Sequence, residues 1–508
     1  MADPHAHPSG GPTTPGPDAL PLGHSYAHLP ESFHARVAPT PVAAPRLIRL
    51  NRELSHELGL HPEVLESPEG IQVLAGNRVP AHADPVAMAY GGHQFGTWVP
   101  QLGDGRAILL GEVVDRSGVR RDLQLKGAGP TPFSRRGDGR SSIGPVVREY
   151  LASEAMAALG IRTTRALAAL STGEEVARQR REPGGILVRV ATSHVRVGTF
   201  EYFAGRRDVA SVRRLADYVL DRHYPHLVEA EEPYRKLLEE VAVRTAELVA
   251  SWLLVGFIHG VMNTDNTSVV GETLDYGPFG FLDPYRPGEV YSSIDRHGRY
   301  AYEQQPRIAQ WNLARLAEAL LPLIHEEEEE AVEGARQALG LFEERLEEVY
   351  RRGLLRKVGL LEVRDDHMNL AQDLLARMAE GGADMTRTFR ELSHLSATDS
   401  REDGPVRRLF HDPEAFDGWA VLWRERLAAE GREEGERKAA MRSVNPAYVL
   451  RNHLAQWAVD AAVERLDFGP MEELLEVLSR PFEEQPGREP YARPPRQEER
   501  VTRTFCGT

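Results

Sequence analysis

The sequence predicts an α+β protein of two lobes, in which a β-rich N-terminal lobe precedes a helical lobe and extra C-terminal helices. Three observations predict this fold class. Glycine-rich turns alternate with strand-like runs between about residues 80 and 200, and helical periodicity dominates from about residue 205. The chain of 508 residues is also long enough for two or three domains' worth of core. A small β-rich part followed by a larger helical part is expected to enclose a cleft.

The β-rich lobe is predicted over residues 45–205. Residues 1–44 before it are rich in Pro, Gly and His and lack the apolar stretch of a signal peptide, so we expect a largely disordered leader. Within the lobe, residues 107–114 and 185–190 are apolar and residues 122–126 alternate, and each is a predicted strand.

One helix is predicted inside the β-rich lobe, over residues 141–160, because apolar side chains recur there at helical spacing and Gly160 can end it. The helical lobe follows over residues 206–320, and a helical extension over residues 321–479. Residues 480–508 are rich in Pro, Glu and Arg and are expected to be irregular.

Within the helical lobe, residues 241–258 are apolar enough for a buried core helix, whereas residues 259–275 are predicted to be irregular with short strands. In the extension, the acidic run 326–330 is expected to form a solvent-exposed face. No run of 18 or more apolar residues occurs, so no transmembrane helix and no membrane partner are expected.

Net charge and cysteine content bear on the partners and the cellular compartment of the protein. The net charge of −15 argues against nucleic acid as a partner. Cys506 is the single cysteine, so no intramolecular disulfide can form, which fits a reducing compartment. Together with the lack of a targeting segment, this predicts a cytoplasmic protein.

Lysine is rare in this chain, which uses Arg at nearly every basic position and Lys only at positions 126, 236, 357 and 438. An ammonium is a compact point charge that can sit close to phosphate where a guanidinium fork cannot. Lys126 is therefore a candidate phosphate-binding residue, although chance explains the composition equally well.

The strongest motif runs from His259 through Asn266 and on to the Asp275-Tyr276-Gly277 triplet. Protein kinases carry a catalytic loop with a His and a downstream Asn, then a β-hairpin and an Asp-Phe-Gly triplet. A carboxamide oxygen and a carboxylate on either side of a short hairpin can hold one hard divalent cation, so Asn266 and Asp275 are the candidate metal ligands.

Val261 stands where a kinase carries its catalytic Asp. Valine cannot accept a proton, so an ordinary kinase mechanism is in doubt. Asp265, directly before Asn266, can take over the role of base. The alternative is that Asp265 and Asn266 only form an Asx turn ahead of a strand.

The upstream parts occur in kinase order as well. Residues 103–106 fit a glycine loop that covers phosphates, although taken alone they fit a plain hairpin turn better. Lys126 follows on a predicted strand, and Glu149 on the predicted helix is available to pair with it. The complete order is more specific than any part and predicts a protein-kinase-like two-lobed fold with a β-rich N-lobe and a helical C-lobe.

A second glycine loop, residues 137–140, and two arginines, Arg189 and Arg196, have no obvious kinase counterpart. Arginine suits bidentate contact with phosphate. For either arginine a surface ion pair is the ordinary alternative.

With these motifs in this order, the chain resembles the selenoprotein O family of kinase-like protein adenylyltransferases. The resemblance covers most of the chain from about residue 90 to 320, and Cys506 stands where family members often carry Cys or selenocysteine. Some members have paired cysteines that form a regulatory disulfide, which a chain with one cysteine lacks. The segments that carry the resemblance are residues 90–96, 101–106, 125–129, 137–140 and 259–281.

The resemblance implies that ATP binds in the reverse of its kinase orientation and that a hydroxyl attack transfers AMP and releases pyrophosphate. Asp265 is then the base, and Asn266 and Asp275 bind Mg²⁺ or Mn²⁺. Ser, Thr or Tyr hydroxyls of proteins are the implied acceptors, with self-modification possible. The implied nucleotide-binding residues are Gly103, Gly105, Arg106, Lys126, Asp138, Gly139, Arg189, Arg196 and Asp275.

Three alternatives stay open from the sequence. The first is transfer of UMP from UTP with Mn²⁺, and the second is a non-catalytic nucleotide-binding scaffold, since Val261 removes the usual base. The third is an unorthodox kinase with Asp265 as its base.

Overall fold

The structure is a computed structural model that describes residue 16 and residues 20–504. Residues 1–15, 17–19 and Cys506 lie outside the described residues. The strands are β1 His34–Arg36, β2 Arg46–Leu50, β3 Val86–Met88, β4 Gly92–Gln94, β5 Thr97–Val99, β6 Ala107–Val114, β7 Arg120–Lys126, β8 Ser141–Ser142, β9 Arg165–Ala177, β10 Arg181–Ala191, β11 Phe257–Ile258 and β12 Gly280–Phe281.

The helices begin within the β-rich part and dominate from residue 197 onward. They are α1 Arg52–Glu57, α2 Pro62–Leu65, α3 Pro68–Leu74, α4 Ile143–Ala158, α5 Val197–Ala204, α6 Val209–His223, α7 Pro233–Val255, α8 Gln305–Ile324, α9 Glu328–Lys357, α10 Asp365–Gly381, α11 Met385–Leu392, α12 Gly404–Arg407, α13 Glu414–Glu430, α14 Glu434–Arg442, α15 Asn452–Arg465 and α16 Gly469–Leu478.

An antiparallel sheet of eight strands forms the β-rich part, in the order β1-β3-β6-β7-β10-β9-β2, with β8 paired to β10. Alternate residues of β6, such as Ile108 and Leu109, belong to two different hydrophobic clusters on the two sides of the sheet. The sheet is therefore buried on both faces, which explains why β6 is apolar at nearly every position.

Helix α4 packs against β9 and β10 on one side and against α15 and α16 on the other. A side chain at Gly144 in its first turn would lie only 3.2 Å from Val459 and 3.3 Å from Val463 of α15. The C-terminal helices thus enclose the helix that carries Glu149.

The α+β class is confirmed, and so are the strands predicted over residues 107–114, 122–126 and 185–190. The predicted helix is α4, and Gly160 follows it in the left-handed region at φ +77°. Strand β9 was not predicted, because its second half contains Gly173 and two glutamates, which favour a turn.

The prediction of a disordered leader over residues 1–44 is wrong for residues 20–44. Strand β1 pairs with β3, and Tyr26, Phe33 and Val42 are buried. The prediction relied on the average composition of the segment, which is dominated by proline, glycine and histidine and does not reflect a few well-spaced apolar side chains.

In the helical part, α7 is the predicted core helix and packs against α8 and α9. The acidic run at residues 326–330 is exposed, as predicted.

The hairpin predicted between Asn266 and Asp275 is reduced to one bridge, Thr267 to Thr273, because Ser268 pairs instead with Arg196. Among the described residues, no helix has both the length and the apolarity that crossing a bilayer requires.

Candidate functional site

All the site residues predicted from the sequence line one cleft of about 1320 Å³. The walls come from the sheet and its loops, from α4 and α15, from the segment between β11 and β12 that carries the kinase-like motif, and from residues 500–504. The cleft thus brings together Gly103, Gly105, Arg106, Lys126, Asp138, Gly139, Arg189, Arg196, Asp265, Asn266 and Asp275.

Lys126 lies at the end of β7 and is held between two carboxylates. Its Nζ atom is 2.6 Å from Glu149 Oε2 and 2.6 Å from Asp275 Oδ1. The predicted pairing of Lys126 with Glu149 is therefore confirmed, and Lys126 also joins the sheet to the segment that carries Asp275.

Arg189 reinforces the same cluster from the neighbouring strand β10. It donates from Nε to Glu149 Oε1 at 2.8 Å and from NH2 to Asp275 Oδ1 at 2.8 Å. The guanidinium of Arg196 lies 4.5 Å from the centre of the Tyr90 ring and 3.8 Å from Asp275 Oδ2. Both arginines are buried, so the alternative of a surface ion pair is wrong for each.

Three cations converge on the Asp275 carboxylate. Burial by itself raises its pKa, but Lys126, Arg189 and Arg196 more than offset burial, and the pKa lies well below the usual range. The backbone of Asp275 is in the left-handed region at φ +69°, which is uncommon for a non-glycine residue. A deprotonated carboxylate is thus fixed at the cleft wall.

Asp265 has a different environment. Gln94 Nε2 donates to its Oδ2 at 3.1 Å, while its buried Oδ1 has no hydrogen-bond partner. Burial raises the pKa of Asp265 to about 6, against the lowering effects of Gln94 and Arg196. A carboxylate with a raised pKa that lines a cleft is suited to accept a proton.

Asn266 sits at the end of a single 3₁₀ turn, Thr264–Asn266. Its Nδ2 donates to the Val261 carbonyl at 3.1 Å, which leaves its Oδ1 as the atom for a ligand. No group of three or more His, Cys, Asp or Glu side chains suited to a metal occurs among the residues that the structure describes. A carboxamide and a carboxylate still fit Mg²⁺, which commonly takes one or two protein carboxylates and completes its shell with phosphate oxygens and water.

Residues 103–106 lie between β5 and β6, which do not pair with each other, so the interpretation as a plain hairpin turn is wrong. Asp104 in this segment is buried and accepts from the Met88 N–H at 3.1 Å and from Gln124 Nε2 at 3.2 Å. The segment is therefore anchored to the sheet, with Gly103, Gly105 and Arg106 at the cleft.

The second glycine segment closes against the turn after β7. The Gly129 N–H donates to the Gly139 carbonyl at 3.0 Å, and a Cβ at Gly139 would lie 2.1 Å from the Gly129 carbonyl carbon. Asp138 is half exposed at the rim and pairs with Arg178 at 2.8 Å. Only glycine fits at position 139, where φ is +64°.

Gln94 and Arg148 also line the cleft and were not predicted as site residues. Gln94 lies in the segment 90–96, which carries the family resemblance, so a signal for it was present. Arg148 donates from NH2 to the Phe279 carbonyl at 2.6 Å. Nothing in the helical pattern of α4 separates Arg148 from an ordinary surface arginine.

Comparison with known proteins agrees with this geometry. The family model for protein adenylyltransferase SelO matches residues 19–479. A protein nucleotidyltransferase YdiU of Alkalilimnicola ehrlichii is 62% identical over 494 residues, which is 97% of this chain and 100% of that protein. Proteins of the same name from Rhodopseudomonas palustris and a Bradyrhizobium species are 60% and 61% identical, over 96% of this chain and 99% of each relative. The chain therefore belongs to the SelO family of protein adenylyltransferases, and it is a nucleotidyltransferase.

Proposed function

We propose that this nucleotidyltransferase moves AMP from ATP to Ser, Thr or Tyr hydroxyls of proteins, itself among them, in the cytoplasm. The observation that carries the proposal is the position of Asp265, which faces the same cleft as Lys126 and Asp275 while Val261 occupies the place of a kinase base. The cleft thus combines phosphate-binding cations with a proton acceptor displaced from its kinase position.

The proposed reaction is an in-line displacement at the α-phosphorus. Asp265 takes the proton of the acceptor hydroxyl as its oxygen bonds to the α-phosphorus. The bond from that phosphorus to the oxygen bridging to the β-phosphate breaks, and pyrophosphate leaves with the electron pair. Lys126, Arg189 and Arg196 supply positive charge beside the triphosphate.

We propose Mg²⁺ or Mn²⁺ as the cofactor, held by Asn266 Oδ1 and the Asp275 carboxylate. A bound cation neutralises phosphate charge and aligns the triphosphate. Lys126 and Arg189 contact Asp275, one of the two proposed metal ligands, so we propose that both also bind the phosphates of the nucleotide. The glycine segments around Gly103 and Gly139 would let backbone approach the nucleotide.

We also propose that residues 45–205 and 206–320 act as the two lobes of a protein-kinase-like fold. The order of the glycine segment, Lys126, Glu149, Asn266 and Asp275 along the chain supports this, and so does the pairing of Lys126 with Glu149 across the sheet and α4.

The experiment uses purified protein with Mg²⁺ or Mn²⁺, a generic protein acceptor, and ATP labelled in parallel at the α- and γ-phosphates. We expect label from the α-position only, lost in Asp265→Ala and Asp275→Ala and retained in the control Asp221→Ala, whose side chain is exposed on α6. Label from the γ-position would mean a kinase with a displaced base. A parallel arm with α-labelled UTP tests transfer of UMP, and preference for UTP would overturn the assignment of ATP.

A further inference from the structure

The β4–β5 hairpin, residues Gly92–Val99, stands apart from the main sheet and pairs only within itself. It lies instead against the turn that carries Asp265. The hairpin therefore does not extend the sheet. Its contacts with this turn indicate another structural role.

Three consecutive residues of the hairpin donate hydrogen bonds to residues 263–265, at the start of this turn. The His93 N–H donates to Thr264 Oγ1 at 2.7 Å, and Gln94 Nε2 donates to Asp265 Oδ2 at 3.1 Å. The Phe95 N–H donates to Asn263 Oδ1 at 3.0 Å. Three donors from three consecutive residues thus hold residues 263–265, which comprise the first two residues of the turn and the one before it.

The approach of the two segments is close. A Cβ at Gly92 would lie 3.0 Å from Asp265 Cβ and 3.0 Å from Asp265 Oδ1, so the hairpin backbone packs directly on the carboxylate-bearing side chain. Phe95 adopts φ +51°, an uncommon conformation for a bulky residue. The Phe95 N–H also donates to the Tyr300 hydroxyl oxygen at 3.2 Å. Such backbone strain is kept only where surrounding contacts fix it.

Gln94 is the one residue whose side chain reaches the Asp265 carboxylate with a hydrogen bond among the described contacts. Its bond occupies Oδ2 and leaves Oδ1 unpaired. The donor therefore fixes the rotation of the carboxylate about its Cβ–Cγ bond.

We propose that Gln94 is a positioning residue that orients the Asp265 carboxylate for proton transfer, and that the β4–β5 hairpin is the element that holds it in place. This inference rests on the proposed role of Asp265 as base. Gln94 acts through Asp265 and has no part in holding the triphosphate. Misplacing a catalytic group by a fraction of an ångström slows the chemical step while leaving the nucleotide contacts intact.

The test compares Gln94→Met, which keeps the length of the side chain and removes the donor, with the wild type. We expect kcat for transfer of α-label to fall about 10- to 100-fold, with the KM for ATP and the directly measured ATP dissociation constant within about twofold. Thr264→Val, which removes the acceptor of the His93 N–H, is also expected to lower kcat, by a smaller factor than Gln94→Met.

The matched control is Gln337→Met. The Gln337 amide also donates to a carboxylate at 3.1 Å, that of Glu333, but on the exposed face of α9, and kcat should not change. An unchanged kcat in Gln94→Met would overturn the inference, and so would a parallel rise in the KM for ATP or a lowered unfolding temperature. A wild-type protein that transfers no α-label would instead overturn the proposed function itself.

Discussion

At the residue scale, the choice between Lys and Arg has a physical reason at position 126. The Lys126 ammonium lies 2.6 Å from an oxygen of each of two carboxylates, in a gap that a compact charge fills. The neighbouring cations of the cluster, Arg189 and Arg196, are both buried guanidinium groups. The use of Lys at position 126, in a chain that otherwise uses Arg almost throughout, is therefore consistent with the position of the ammonium between two carboxylates.

We expect Lys126→Arg to lower kcat/KM for ATP about tenfold or more, because the bulkier guanidinium would have to share the space between Glu149 and Asp275 with the Arg189 guanidinium, which already contacts both carboxylates. Steady-state kinetics of α-label transfer measure this. Lys236→Arg, on α7 outside the cleft lining, is the control and should behave as the wild type. Equal kcat/KM for the two variants would contradict a specific role for the ammonium.

Lys357 is a second residue whose charge matters, here for stability. It is buried among the C-terminal helices, with Nζ 4.6 Å from the centre of the Phe389 ring, and burial lowers its pKa from 10.5 to about 7. The unfolded chain therefore binds a proton more tightly than the folded protein between about pH 7 and pH 10.5, so stability rises with pH across this window.

We expect Lys357→Met to raise the free energy of unfolding at pH 7 by on the order of 3 kcal/mol, because the cost of a buried charge disappears. The gain should be constant below about pH 7 and should shrink towards zero as the pH approaches 10.5. Urea unfolding across this range measures it. Lys438→Met, which removes a partly exposed i,i+4 pair with Glu434, should show no such trend. A gain independent of pH in Lys357→Met would refute the assignment.

At the scale of elements, short glycine segments set the shape of the cleft. Gly139 has φ +64° and lies so close to Gly129 that any side chain at this position must displace backbone. The loop that carries Asp138 and Gly139 is thereby locked to the turn that follows Lys126.

We expect Gly139→Ala to weaken ATP binding about tenfold or more, because a methyl group 2.1 Å from the Gly129 carbonyl carbon forces the two loops apart. Isothermal titration with ATP measures the change. In Gly340→Ala the added methyl meets nothing within 4 Å on α9, and ATP affinity should be preserved. Wild-type affinity in Gly139→Ala would show that this loop does not shape the nucleotide site.

The segment before residue 45 is a second element with an unexpected role. The Phe33 ring is fully buried, with its centre 4.2 Å from that of Phe203 on α5. We expect Phe33→Ala to lower the free energy of unfolding by about 3 to 5 kcal/mol, measured by denaturant titration. Leu361→Ala, at an exposed site, should change it little. A negligible loss in Phe33→Ala would mean that the leader is dispensable for stability.

At the scale of the whole molecule, the sequence predicted the α+β class, the principal strands and the residues that meet in the cleft. These features depend on local periodicity and on an ordered motif with Lys126, Asn266 and Asp275, and both can be read along one chain. The predicted ligand roles of Asn266 and Asp275 stay predictions, as does the role of Asp265.

Other features depend on contacts between distant segments and could not be read in this way. The partner of Asp265 is Gln94, 171 residues earlier, and Ser268 pairs with Arg196 rather than within a local hairpin. Residues 20–44 gain stability from contacts with Phe203 and β3, which lie further along the chain. Tertiary context decided each of these outcomes.

The enclosure of α4 between the sheet and helices α15 and α16 has one further consequence. An outward swing of α4 would have to break its contacts with the sheet and with both C-terminal helices, in addition to the Lys126–Glu149 contact. We therefore expect α4 to stay in place when nucleotide binds, so that binding followed in time shows no lag that would report a slow swing of this helix.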